Sequence, residues 1–117
     1  GWHVRKPLDL ELIKQGAKIL LGTNDYSTFR SSSCHAKSSI RTIKSIKIKS
    51  IKNKIEIEFN SQSFLQQQVR SMVGCLKYLG EKKWDIKTFD KIFKSKKRVL
   101  CAPPAPPQGL YLLRVVY

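Results

Sequence analysis

Acidic residues are scarce in this chain. Eight Asp and Glu stand against 23 Lys and Arg in 117 residues, for a formal net charge of +15. Such a balance argues for a polyanionic partner, because Lys and Arg placed on phosphates release condensed counterions. Nucleic acid is the first candidate and an anionic membrane surface the second; the uneven placement of the charge favours nucleic acid. Long apolar runs are also missing. No stretch can span a membrane as a helix, and the N-terminal residues do not have the pattern of a signal peptide. Cysteine is sparse and odd in number: Cys34, Cys75 and Cys101 are widely spaced. They make neither a disulfide framework nor a CxxC zinc pattern, and a reducing cytoplasm fits them. Two histidines, His3 and His35, form no metal cluster. Methionine is nearly absent: Met72 is the only one, and the chain opens Gly1-Trp2-His3-Val4. That opening is expected of a piece of a longer protein. No internal repeat is found.

What is present is enough for one domain with a core. Hydrophobic residues make up 41% of the chain, a globular rather than a disordered value. The longest helical pattern runs from Ser63 to Gly80. Leu65, Val69, Met72, Leu76 and Leu79 fall on one stripe. Ser63 and Gln66 have capping-box spacing, and Gly80 reads as the C-terminal stop. Arg70 lies about 140° round from Leu65 at about 100° per residue. It is therefore off the stripe, flanked by Gln66, Val73, Gly74 and Lys77. A cation beside a glycine on the flank of a packed helix is either a group placed to face a ligand or an ordinary solvated arginine.

Taken in order, Trp2-His3-Val4 reads as the end of a strand. A helix follows Pro7, with Asp9 as N-cap, Ile13, Ala17 and Leu20 on the buried face, and Gly22 as its stop. Asn24 and Asp25 continue the turn. Small hydroxyl residues from Tyr26 to Lys37 suggest an exposed loop. Residues 40–59 carry the clearest strand signal. Ile46 and Ile48 alternate with lysines, and Ile55, Ile57 and Phe59 alternate with glutamates, around a turn at Asn53-Lys54. Lysine is expected opposite glutamate on the outer face. From Lys37 to Lys54 there are seven basic residues and no acidic one, a surface suited either to following a phosphate backbone or simply to solvation. A further helix starts at Asp85 with Ile86, Phe89 and Phe93 inward. Lys94, Lys96, Lys97 and Arg98 crowd its C-terminal end, where cations suit the helix dipole. Cys101 to Gly109, which holds four of the five prolines, reads as a stiff, extended connector that is neither helix nor central strand. It leads into Leu110–Tyr117, a strand apolar on both faces and expected at a central position. The fold class is α+β: an antiparallel sheet with helices packed on one face.

Several pieces resemble one family. They are Trp2-His3-Val4 through Pro7-Leu8-Asp9, Leu20-Leu21-Gly22 with Asp25 and Phe29-Arg30, the pattern F-L-x-x-x-V-R-x-M-V-G from Phe64 to Gly74, and Ala102-Pro103 through Leu112, which ends in the pattern A-P-P-x-G-L-Y-L. In order and spacing they resemble the C-terminal half of the TruA family of tRNA pseudouridine synthases. The resemblance implies half of a pseudouridine synthase fold spanning residues 1–117 as a single domain. It implies isomerisation of uridine to pseudouridine in the tRNA anticodon stem-loop, just 3′ of the anticodon, by a cytoplasmic homodimer that uses no metal or organic cofactor. The uridine is flipped into a cleft at an unstacking cost, and an aspartate acts as nucleophile while the uracil turns and rejoins through carbon.

In that family the aspartate lies in an R-T-D motif of the N-terminal half. No R-T-D occurs here, and Asp9, Asp25, Asp85 and Asp90 do not match it, so the chain alone is expected to be inactive. Arg70 matches the active-site arginine expected to pair with that aspartate. Leu110 matches an apolar residue that packs on the flipped uracil, and Gly109 would let the backbone pass close to the base. Arg30, Lys37 and Arg41 are the candidate tRNA backbone contacts. The competing reading is a non-catalytic RNA-binding α+β domain.

Overall fold

A computed structural model describes residues 8–30, 37–51, 54–62, 68–103 and 111–116. The order is α1 (Leu10–Leu20), β1 (Gly22–Asp25), a 3₁₀ turn (Ser27–Phe29), β2 (Ile40–Ile51), β3 (Lys54–Ser61), α2 (Gln68–Gly80), α3 (Ile86–Ser95), a second 3₁₀ turn (Arg98–Leu100) and β4 (Tyr111–Val116). The strands stand in the order β1-β2-β3-β4. This is the expected α+β class.

Both described caps are where the sequence placed them. Asp9 accepts from the Leu12 amide at 3.2 Å, and Asp85 accepts from the Thr88 amide at 2.7 Å. Ile13, Ala17 and Leu20 are buried on α1, and Phe89 and Phe93 on α3. Met72, Leu76 and Leu79 of the α2 stripe are fully buried, whereas Ser63 and Leu65 lie outside the described residues. Trp2-His3-Val4 and Asn53 also lie outside them.

Ile46 pairs with Phe59 and Ile48 with Ile57 on the inner face. On the outer face Lys47 stands opposite Glu58 and Lys49 opposite Glu56, as expected. Lys54 pairs with Ile51 and so belongs to the strand, not to the turn. The register shifts between Ile43, which faces Ser61, and Ser45, which faces Asn60. Lys44 is the extra residue, a β-bulge. The bulge explains why Ile43 and Ile46 both face inward although three residues apart.

Other expectations need correction. The sheet is mixed: β1, β2 and β3 are antiparallel, but β4 pairs with β3 in parallel, Ile57 opposite Leu113. The connection through α2 and α3 carries the chain back to the end of the sheet from which β3 started, and a strand re-entering there runs parallel. Among the described residues β4 is an edge strand, not a central one. Asn24 and Asp25 do not continue a turn but form β1, pairing with Arg41 and Ile40. Residues 26–29 are not an exposed loop. Tyr26, Thr28 and Phe29 are at most 1% exposed. The Tyr26 ring stacks on Phe93 at 5.5 Å, and its hydroxyl donates to the Leu20 carbonyl at 2.6 Å. The Thr28 hydroxyl lies 3.1 Å and 3.2 Å from the Ile92 and Phe93 carbonyls, which it serves at the end of α3.

Gly80 is the last residue of α2 but not the left-handed stop. That conformation belongs to Lys82, with φ of 63°. The Lys82 amide donates to the Leu79 carbonyl and the Lys83 amide to that of Tyr78, the bonding of a Schellman motif. Gly80 serves packing instead. A Cβ there would sit 2.8 Å from Ile13 Cδ1 and 2.9 Å from its Cγ1. Its smallness lets α2 lie close against α1.

Candidate active-site wall and basic edge

Arg70 is the third residue of α2, and it is half-buried. The helix that carries it is fixed along its length by buried Met72, Leu76, Leu79 and Gly80. Buried Gln68 and Ser71 stand on either side of the Val69–Arg70 pair. One and two turns further along Arg70's own face are Gly74, which is buried, and Lys77. The Lys77 ammonium lies 3.6 Å from the Glu81 carboxylate, and these side chains are only 18% and 14% exposed. This flank of α2 is not an open, solvated row. Leu110 and Gly109 lie outside the described residues, immediately before the first residue of β4.

Each of the four aspartates has a local task. Asp9 and Asp85 cap helices. The Asp25 carboxylate accepts from the Ser27 amide at 2.9 Å and from its hydroxyl. The Ser27 hydroxyl bond holds the Asp25 carboxyl below its ordinary value, and Lys96 and Arg30 add to this. Asp90 pairs with Lys94 at 3.2 Å one turn along α3. Thus every aspartate of the chain is committed to a cap, a turn or a surface ion pair, which agrees with the lack of a nucleophile motif. Among the described residues no group of three or more His, Cys, Asp and Glu can hold a metal ion. No helix among them is long and apolar enough to cross a membrane.

The three candidate RNA contacts converge on one segment. Arg30 Nη1 donates to Ser39 Oγ at 2.6 Å. Arg41 Nη1 donates to the carbonyls of Ser38 and Ile40 at 2.9 Å and 2.8 Å. Lys37 directly precedes this segment and is exposed. The two arginines therefore brace the Ser38–Ser39 segment that leads into β2, while Lys37 is exposed just before it. Beside Arg41 lies an open groove of about 420 Å³, lined also by Ile40, Thr42, Lys44, Ser61 and Gln62. Lys44, one of the seven basic residues of the Lys37–Lys54 run, also lies at this groove, where the bulge puts it; the bulge itself was not read from the sequence, and the three-residue step from Ile43 to Ile46 was its available signal.

Fold and surface together define a basic α+β domain with cations gathered at the start of β2 and all four aspartates engaged locally. A family model described as tRNA pseudouridine synthase matches residues 17–117. Over all 117 residues the chain is 67% identical to tRNA pseudouridine synthase A of Pelagibacter ubique (strain HTCC1062). It is 43% identical to the protein of that name from Parvibaculum lavamentivorans and 40% to that from Zymomonas mobilis, again over its full length. The chain belongs to the TruA family of tRNA pseudouridine synthases. It spans about half the length of the curated relatives it matches, 48% in each of these three.

Proposed function

We propose that residues 1–117 form the C-terminal, active-site-completing domain of a tRNA pseudouridine synthase whose nucleophilic aspartate lies in the other half of the protein. The observation that carries this reading is the full-length match to synthases of twice the size, in a chain whose own aspartates are all committed elsewhere. Arg70, held on the rigid α2, pairs with that aspartate. A guanidinium beside a carboxylate keeps it ionised and fixes its direction by charge-assisted hydrogen bonds. Leu110 packs on the flipped uracil, and Gly109 admits the backbone to it. The substrate is the tRNA anticodon stem-loop, and the whole protein acts as a cytoplasmic homodimer.

Arg30 and Arg41 shape the Ser38–Ser39 segment for the tRNA backbone, and Lys37 supplies an exposed charge. What supports this is their convergence on one segment, with Lys37 and Ser38 exposed and Ser39 buried, in a chain with a +15 charge.

The test is to assay the isolated chain and the full-length protein side by side on tRNA labelled at uridine C5. Isomerisation displaces the C5 hydrogen, so label release counts turnovers. The isolated chain is expected to bind tRNA in a salt-dependent manner and to release no label, while the full-length protein releases it. Turnover by the isolated chain would overturn the division of the site.

A further inference from the structure

Cys75 and Cys101 are separated by 26 residues in sequence, yet their sulfurs meet at 3.4 Å, and both are free thiols. Cys75 is buried in the α2 core, whereas Cys101 is part-exposed just after the 3₁₀ turn that follows α3. We propose that this pair is a modification site for low-molecular-weight disulfides: Cys101 is the entry thiol and Cys75 the resolving thiol, and the product is an intramolecular Cys75–Cys101 bond that ties α2 to the segment leading to β4. This inference is independent of what the whole protein does to tRNA.

The two thiols are unequal in the way such a sequence requires. The hydrogen bond from Cys75 holds the Cys101 thiol below its ordinary value, helped by the Arg98 charge and the Ser71 hydroxyl against burial. The same hydrogen bond and burial push the Cys75 thiol up. The thiolate is the nucleophile, so attack begins at the accessible Cys101. Its sulfur attacks one sulfur of oxidised glutathione. A mixed disulfide forms on Cys101, and a glutathione thiolate leaves with the electron pair and takes up a proton. The Cys75 thiol gives its proton to water and attacks the Cys101 sulfur, and the second glutathione leaves. Two protein thiols are oxidised and one small disulfide is reduced to two thiols. Because Cys75 already touches Cys101, the second step is expected to outrun release of the mixed disulfide.

The test uses the Cys34→Ser chain, which removes the third thiol, treated with oxidised glutathione under native conditions. The expected product has lost two hydrogen masses, carries no glutathione, gives a Cys75-to-Cys101 cross-linked peptide in a non-reducing digest, and returns to the starting mass with dithiothreitol. With Cys75→Ala in addition, one glutathione stays on Cys101. Glutathione stably bound to Cys101 beside an unreacted Cys75 in the Cys34→Ser chain would overturn the proposal, as would a disulfide between two chains or no reaction. The Cys34→Ser result decides the matter even where the Cys75 variant fails to fold.

Discussion

Polar side chains that look interchangeable in the sequence have distinct local duties. Asp25 is an example. Its carboxylate closes the turn onto Ser27, which sets Tyr26 and Phe29 into the core, and the Ser27 bond favours its ionised form, holding the carboxyl below its ordinary value. The folded value lies below the unfolded one, so the contribution to stability is present above the unfolded value near pH 4 and is lost as pH falls through the folded one. Asp25→Asn is therefore expected to be less stable than the parent at pH 7, with the gap closing in acid as pH falls through the folded value. Urea unfolding at pH 7 and in acid checks this; a gap that is constant with pH would assign the loss to geometry instead of charge. Tyr26 is the neutral counterpart: burial raises its phenol, which stays protonated and donates to the Leu20 carbonyl.

At the level of elements, the sequence was most legible where a local rule governs. Asp9 and Asp85 are caps because a carboxylate next to free helix amides has a local reward, and the stripes of α1 and α3 follow from helical periodicity. It was least legible where a distant partner decides. Gly80 reads as a stop on local grounds, but the neighbour that requires a glycine is Ile13, 67 positions earlier and on another helix. Lysine is a poor local choice for a left-handed residue, yet Lys82 takes that conformation because the motif after α2 needs it.

Two opposite outcomes follow for neighbouring positions. Gly80→Ala is expected to lower stability by about 1–2 kcal/mol, because overpacking against Ile13 outweighs the gain in helix propensity. Lys82→Gly is expected to raise stability by roughly 0.5–1 kcal/mol, by removing the left-handed strain at the cost only of a weak, exposed contact with Asp9. Denaturant midpoints of the two variants test both signs at once. A more stable Gly80→Ala would show that α1 and α2 part easily.

At the scale of the whole molecule, the class and the helix-on-sheet arrangement were readable from periodicity, but the parallel β4 was not. Strand direction depends on where α2 and α3 return the chain, which no local pattern encodes. The site divides in the same way. A conspicuous arginine on a packed helix could be singled out at Arg70, whereas the bracing of the Ser38–Ser39 segment by Arg30 and Arg41 becomes visible only once β1 and β2 are paired. That bracing separates two effects in tRNA binding. Lys37→Ala is expected to weaken binding evenly across tRNAs and to reduce the slope of log affinity against log salt by about 1, as for the loss of one phosphate contact. An unchanged slope would take Lys37 out of the interface.

The central claim is that one pocket is shared between this domain and the rest of the protein, with the Arg70 guanidinium as this domain's contribution. Single-turnover label release by full-length Arg70→Ala, measured with saturating enzyme alongside its tRNA affinity, tests it most directly. The account predicts that the chemical step falls by at least a thousandfold, a loss of about 4 kcal/mol in transition-state stabilisation, while affinity falls by less than about tenfold. An Arg70→Ala enzyme that turns over at the parent rate would contradict it.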